Sequence, residues 1–119
     1  AKQIKNDLKQ KISSINGYNV LAEEIELDAG SIKDILFQLK GENSDFIGII
    51  GGKDKDKCSL SVIISDNLVE SKDLHAGNMI KEVAKLIQGG GGGQANYATA
   101  GGKNANGLTE AISNIKAKL

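Results

Sequence analysis

Five consecutive glycines, Gly89, Gly90, Gly91, Gly92 and Gly93, restrict this chain more than any other stretch. Glycine loses more freedom on folding than any other residue, and fixing a residue's backbone costs about 1–2 kcal/mol. An ordered run of this kind therefore needs a reason. One reading is a flexible linker. The other is a backbone whose N–H groups lie open to an oxygen-rich partner such as a phosphate or sugar. The run is short, contains no serine, and is followed within one strand length by Gly101 and Gly102. These features favour the second reading.

The chain has 119 residues, enough for one domain with one core. Aromatic residues make up only 3%, so the core must be built from Ile, Leu, Val and Ala. All 15 basic residues are lysines, and 15 acidic residues balance them. A binder that works by bulk positive charge is disfavoured, although a local lysine patch is not. Cys58 is the only cysteine, which excludes an internal disulfide and a Cys-rich zinc site and favours a cytoplasmic location. No apolar stretch approaches the ~20 residues of a membrane span, and no membrane partner is expected. The first residue is Ala and the sole methionine is Met79, so a piece of a longer polypeptide is expected.

Ile4, Leu8, Ile12 and Ile15 recur at helical spacing up to a stop at Asn16-Gly17. Tyr18 to Leu27 reads as a strand. Asp28 can cap a helix with the apolar stripe Ile32, Ile35, Leu36 and Leu39, ended by Gly41. Asp45 to Gly52 carries an apolar run expected of a central strand. It pairs as a hairpin with the alternating segment from Cys58 to Ser65. A helix follows over Leu74–Gln88. Asn96–Ala100 reads as a last short strand, and a final helix starts at Asn106 as its N-cap, with Leu108, Ala111, Ile112, Ile115 and Leu119 buried. The predicted class is α/β: a mixed, mostly parallel four- to five-stranded sheet with helices packed on its faces. Residues 1–16 are expected to be the end of a linker helix and residues 17–119 the domain.

Enzyme signatures are mostly missing. His75 is the only histidine; it reads as a capping or packing group or, alternatively, as a donor to a phosphate at a helix N-terminus. Cys58 lies mid-strand and reads as a small core residue. The glycines fail the dinucleotide fingerprint, because a helix precedes them and Gln94 takes the sixth position. The Walker pattern fails too, because Gly102-Lys103 is followed by Asn104. What remains is a binding surface of Gly89–Gly93, Gln94, Asn96, Gly101, Gly102, Lys103 and Asn104. Open backbone, amides and a cation suit sugars, phosphates and base edges. The Tyr97 ring either stacks on a base or fills the core. The lysines of the first helix and of the Lys53–Lys57 tip read as solvated charge.

The stretch from Ala76 through Gly89, followed by Gln94-Ala-Asn-Tyr-Ala-Thr-Ala-Gly-Gly102, resembles the C-terminal domain of alanyl-tRNA synthetase. The same domain type accompanies the DHH family of phosphoesterases. Tyr18-Asn-Val-Leu-Ala-Glu-Glu resembles the first strand of that domain, and the helix from Ala1 the end of the linker before it. Family members often carry Arg-Pro-Asp-Met between the glycines and the Ala-x-Ala-Gly-Gly segment. Here Gln94-Ala95-Asn96-Tyr97 stands there, so no role of that Arg or Asp carries over. The resemblance implies a noncatalytic domain that grips the outer corner of tRNA for alanine. ATP and zinc are expected in other domains of such an enzyme and no cofactor in this one. The other domains of the parent are expected partners, with a homodimer as a further possibility. Two rivals stay open: an accessory substrate-binding domain of a phosphoesterase, and a purely structural or dimerising domain. Replacing Gly91 and Gly92 by Val is expected to reduce tRNA binding without unfolding.

Overall fold

A computed structural model describes residues 2–72 and 74–119. Eleven regular elements follow one another: α1 (Lys2–Lys9), β1 (Ser13–Ile15), β2 (Tyr18–Ile25), α2 (Ala29–Glu42), β3 (Phe46–Asp54), β4 (Lys57–Ile64), α3 (Asp66–Lys72), α4 (Ala76–Val83), β5 (Gly90–Gly93), β6 (Tyr97–Gly102) and α5 (Leu108–Lys116). Short 3₁₀ turns, Ala84–Ile87 and Ala105–Gly107, extend α4 and lead into α5.

The strands form one six-stranded sheet in the order β1-β2-β3-β4-β6-β5. The α/β class and the mixed sheet agree with expectation; the mostly parallel character does not. Only β2 and β3 pair in parallel, and the other four pairings are antiparallel. The reason lies in the connections. A parallel pairing needs a crossover of a dozen or more residues. The chain supplies one through α2. A second, through α3 and α4, carries it from β4 to β5, but β6 returns after a three-residue turn and inserts between the two.

Several local expectations also shift. The helical spacing through Ile15 stops at Lys9, and Ser13–Ile15 pairs with Tyr18–Val20 instead. Asn16-Gly17 is a two-residue hairpin turn, with φ of 52° and 87°. That is the geometry Asn-Gly favours between antiparallel strands. α4 ends at Val83, and Asn106 lies inside a 3₁₀ turn while α5 begins at Leu108. Asp28 does cap α2, accepting from Ser31 N at 3.0 Å and Ser31 Oγ at 2.8 Å.

Two apolar layers sandwich β3 and β4, whose residues are buried on both faces. On one side Ile32, Leu36 and Leu39 of α2 meet Leu21, Phe46, Ile50 and Ile63, joined by Leu8 of α1. On the other, Ile80 and Val83 of α4 and Leu108, Ile112 and Ile115 of α5 meet Ile49, Leu60, Val62 and Ile64. α2 lies over β3 and β4; toward β6 it reaches out through Phe37 and Lys33, which approach Tyr97. The α2 side of the β6–β5 sheet is therefore left open, and that opening positions the site.

Candidate nucleic-acid interface

The glycine run is not a loop but the edge strand of the sheet. Gln88 turns the chain out of the 3₁₀ segment with φ 53°, and Gly89 N donates to Ala84 O at 3.1 Å. β5 then pairs antiparallel with β6 in the register Gly90↔Gly101, Gly91↔Ala100, Gly92↔Thr99 and Gly93↔Ala98. Among the described residues, no main-chain hydrogen bond outside this ladder involves Gly90–Gly93. One edge of the strand thus presents bare N–H and C=O groups. Gly90, Gly91 and Gly93 are exposed and Gly92 is half-buried.

The glycines are not equivalent. A Cβ at Gly89 would stand 1.8 Å from Gly101 O, and one at Gly91 would stand 2.2 Å from Thr99 O, so β6 passes too close for any side chain there. A Cβ at Gly90 would meet nothing within 4 Å, and one at Gly92 would meet Lys81 Cε at 3.3 Å. Substituting Gly91 therefore perturbs the strand pairing, contrary to the expectation that it would leave the fold intact.

The turn after β5 serves α4. Gln94 O accepts from Gly77 N at 3.1 Å and Ala95 O from Ala76 N at 2.8 Å. His75 Nδ1 accepts from Asn78 N at 3.1 Å as the N-cap. The amides that a phosphate would need at this helix end are engaged, which makes His75 a structural cap. Asn96 O accepts from Ile64 N at 2.8 Å, and Asn96 Nδ2 donates to Asp66 Oδ1 at 3.2 Å. Asp66 also receives Lys40 Nζ at 3.2 Å; Lys40 first, then Asn96, hold its carboxyl below the usual carboxylate range. Thus Asn96 braces the turn, while Gln94 is exposed.

At the other end of β5, Lys103 N and Asn104 N both donate to Ile87 O at 2.9 Å, and Asn104 Nδ2 donates to Leu86 O at 3.2 Å. Gly102 is needed because a Cβ there would lie 2.2 Å from Ile87 O. Gly89, Gly102 and Asn104 therefore anchor the edge. Gly90–Gly93, Gln94 and exposed Gly101 form its accessible part, with Lys103 beside it.

Sequence reasoning offered Tyr97 and Gly92 but missed the residues that face them, Lys33 and Phe37 of α2 and Thr99 of β6. Lys33, Phe37, Tyr97, Thr99 and Gly92 line a groove of about 390 Å³ between α2 and the open sheet face. The Phe37 and Tyr97 rings are 5.1 Å apart at 54°, and Lys33 Nζ lies 5.9 Å from the Tyr97 centroid. Burial pushes the Tyr97 phenol up, partly offset by the nearby Ser61 hydroxyl. That fully buried hydroxyl makes no hydrogen bond of normal geometry. The signal was present in α2: Phe37 falls out of phase with the stripe Ile32, Ile35, Leu36 and Leu39. Among the described residues, Lys33, Lys81, Lys85 and Lys103 have no carboxylate within 4.0 Å, unlike Lys40.

No three His, Cys, Asp or Glu side chains among the described residues come together as a metal site. Cys58 is buried in the α4 layer, which raises its thiol above the ordinary value. No described helix is long and apolar enough to cross a membrane.

The chain is similar to known proteins. The DHHA1 domain matches residues 17–119. The alanine–tRNA ligase of Christiangramia forsetii is 50% identical over 112 residues, covering 94% of this chain and 13% of that protein. The chain thus spans about an eighth of the length of such relatives. Among solved structures, the C-Ala domain of Aquifex aeolicus alanyl-tRNA synthetase superposes with a TM-score of 0.78 at 23% identity, covering 90% of this chain and 96% of that one. A DHH-domain protein described as a member of a family of ribosomal proteins superposes with a TM-score of 0.56 at 15% identity, covering 98% of this chain and 30% of that one.

Proposed function

The chain belongs to the DHHA1 domain family, and from that premise we propose that it is the C-terminal tRNA-binding domain of an alanine–tRNA ligase. It contributes recognition of tRNA for alanine to an ATP-dependent ligase whose aminoacylation and editing sites, with any ATP and zinc, belong to other domains. Of the N-terminal segment, α1 (Lys2–Lys9) is the end of a helical connection toward those domains, while Ser13–Ile15 is a strand of this domain's own sheet, and the work is done in the cytoplasm. Catalysis is not part of this domain's role. The long ligase relatives, matched over nearly the whole of this chain, support the assignment of the parent.

The observation that carries the reading is the side-chain-free edge of β5, with lysines around it that have no carboxylate partner among the described residues. A phosphodiester backbone can approach Gly90–Gly93 to hydrogen-bonding distance because no Cβ stands in its way. Lys33, Lys81, Lys85 and Lys103 supply the counter-charge. Such contacts fix position and orientation rather than sequence.

Gly90→Val tests this directly. A Cβ there meets nothing within 4 Å, so the new side chain adds bulk beside the open main chain without a clash at its base. Its melting temperature should match that of the wild type, while tRNA affinity should fall on the order of tenfold, the worth of one charge-assisted hydrogen bond. Unchanged tRNA affinity refutes the role of the edge.

A further inference from the structure

We propose that the groove between α2 and β6 receives a single unstacked nucleobase, with the Phe37 ring as its stacking surface. The inference rests on the RNA-binding reading above and adds what kind of RNA element docks. Phe37 is the one large hydrophobic side chain exposed among the described residues, at 41%. It does not stand alone. Tyr97 meets it at 5.1 Å and 54°, so the two rings form a corner rather than a stack. Lys40 Nζ lies 5.6 Å from the Phe37 centroid and Lys33 Nζ 5.9 Å from that of Tyr97. A flat base laid against Phe37 meets Tyr97 at the same 54° tilt, so the second ring walls its side instead of stacking on it.

The surroundings select a nucleotide over an apolar peptide. Lys33 has no carboxylate partner among the described residues and can take the phosphate that flanks the base. The nearest carboxylate on the Asn96 side, that of Asp66, already binds Lys40 and Asn96. Gly92 and Gly93 form the far wall, so a sugar can lie flat against main chain. The groove, about 390 Å³, falls at the small end of the range for sites that accept small molecules. A continuous A-form helix offers no base to such a corner; a loop or bulge does. The glycine edge holds the backbone, and the groove takes the extruded base beside it.

The test uses the full chain and two RNA hairpins of equal length, one with a single bulged 2-aminopurine and one fully paired. Wild type should bind the bulged hairpin more tightly and quench its fluorescence. Phe37→Ala, at an exposed helical position, should keep its melting temperature. It should weaken binding of the bulged hairpin by about 5- to 150-fold, the range for base–aromatic stacking, and abolish the quenching. Phe37→Trp should restore both. If Phe37→Ala binds and quenches like wild type while Gly90→Val weakens binding of both hairpins, the groove proposal is overturned and the edge reading stands. If wild type binds tRNA but neither hairpin, the groove proposal is overturned and the edge reading stands; if it binds no tRNA either, the edge reading falls as well.

Discussion

Gly90 and Gly91 are neighbours in sequence, yet a side chain would meet open solvent at the first and the main chain of β6 at the second. Gly91→Val puts its Cβ 2.2 Å from Thr99 O and 2.5 Å from Ala100 Cα, and neither atom can move without disturbing the ladder. We expect a loss of about 1–3 kcal/mol in urea unfolding, typical of overpacking, whereas Gly90→Val should stay within about 0.5 kcal/mol of wild type. His75 separates structure from binding in the same way. Because its Nδ1 caps α4, His75→Ala should cost about 0.5–2 kcal/mol of stability and leave tRNA affinity untouched. A histidine that bound phosphate would show the opposite split between denaturation and titration.

At the scale of elements, α1 belongs to the same packed body as the sheet. Leu8 is 2% exposed and joins the layer under α2, while Lys5 and Lys9 reach Glu42 at the end of α2, at 2.5 and 3.3 Å. The apolar contact matters more than the two ion pairs, since exposed pairs contribute about 0–1 kcal/mol. Leu8→Ala should lower stability by about 2–5 kcal/mol; a loss below about 1 kcal/mol in urea unfolding would mean that α1 is only loosely attached. The turn between β5 and β6 is held from three sides, by α4 through Gln94 and Ala95, by β4 through Ile64, and by α3 through Asp66. The edge strand is thus anchored at its ends while its outer side stays open.

For the molecule as a whole, two solution properties follow. The carboxyls of Asp28, Glu42 and Asp66 are all held below the ordinary range, chiefly by hydrogen bonds from Ser31, Lys5 and Lys40 respectively. A carboxyl with a depressed native value stabilises the fold above its unfolded value and loses that contribution as pH falls through the native one. Urea midpoints should therefore be flat from neutrality down to the ordinary carboxylate range and fall below it. The second property is salt dependence. The net charge is zero, so in the proposed role RNA affinity would rest on the few lysines around the edge rather than on bulk attraction. The slope of log K against log salt should be about −3 for four phosphate contacts, at 0.7–0.9 per contact; a slope near zero would remove the lysines from the interface.

Much of this was legible in the chain itself. The buried strands β3 and β4 follow from their apolar runs, α2 from Asp28 and its stripe, and the face of α5 from Leu108, Ala111, Ile112 and Ile115, because these signals repeat within a few residues. The composition of the glycine edge was equally plain, and so was the likeness to a tRNA-synthetase domain. What the residues could not declare was that the glycines form a strand: without side chains there is no alternation to read. Nor could they declare that Asn16-Gly17 closes a hairpin rather than a helix, since the same dipeptide suits both. The strand order, the antiparallel majority, the open face beyond α2 and the meeting of Phe37 with Tyr97 depend on partners 60 residues apart. Only packing the whole sheet decides those, because pairing and burial are set by what lies across the fold, not by what lies next in the chain.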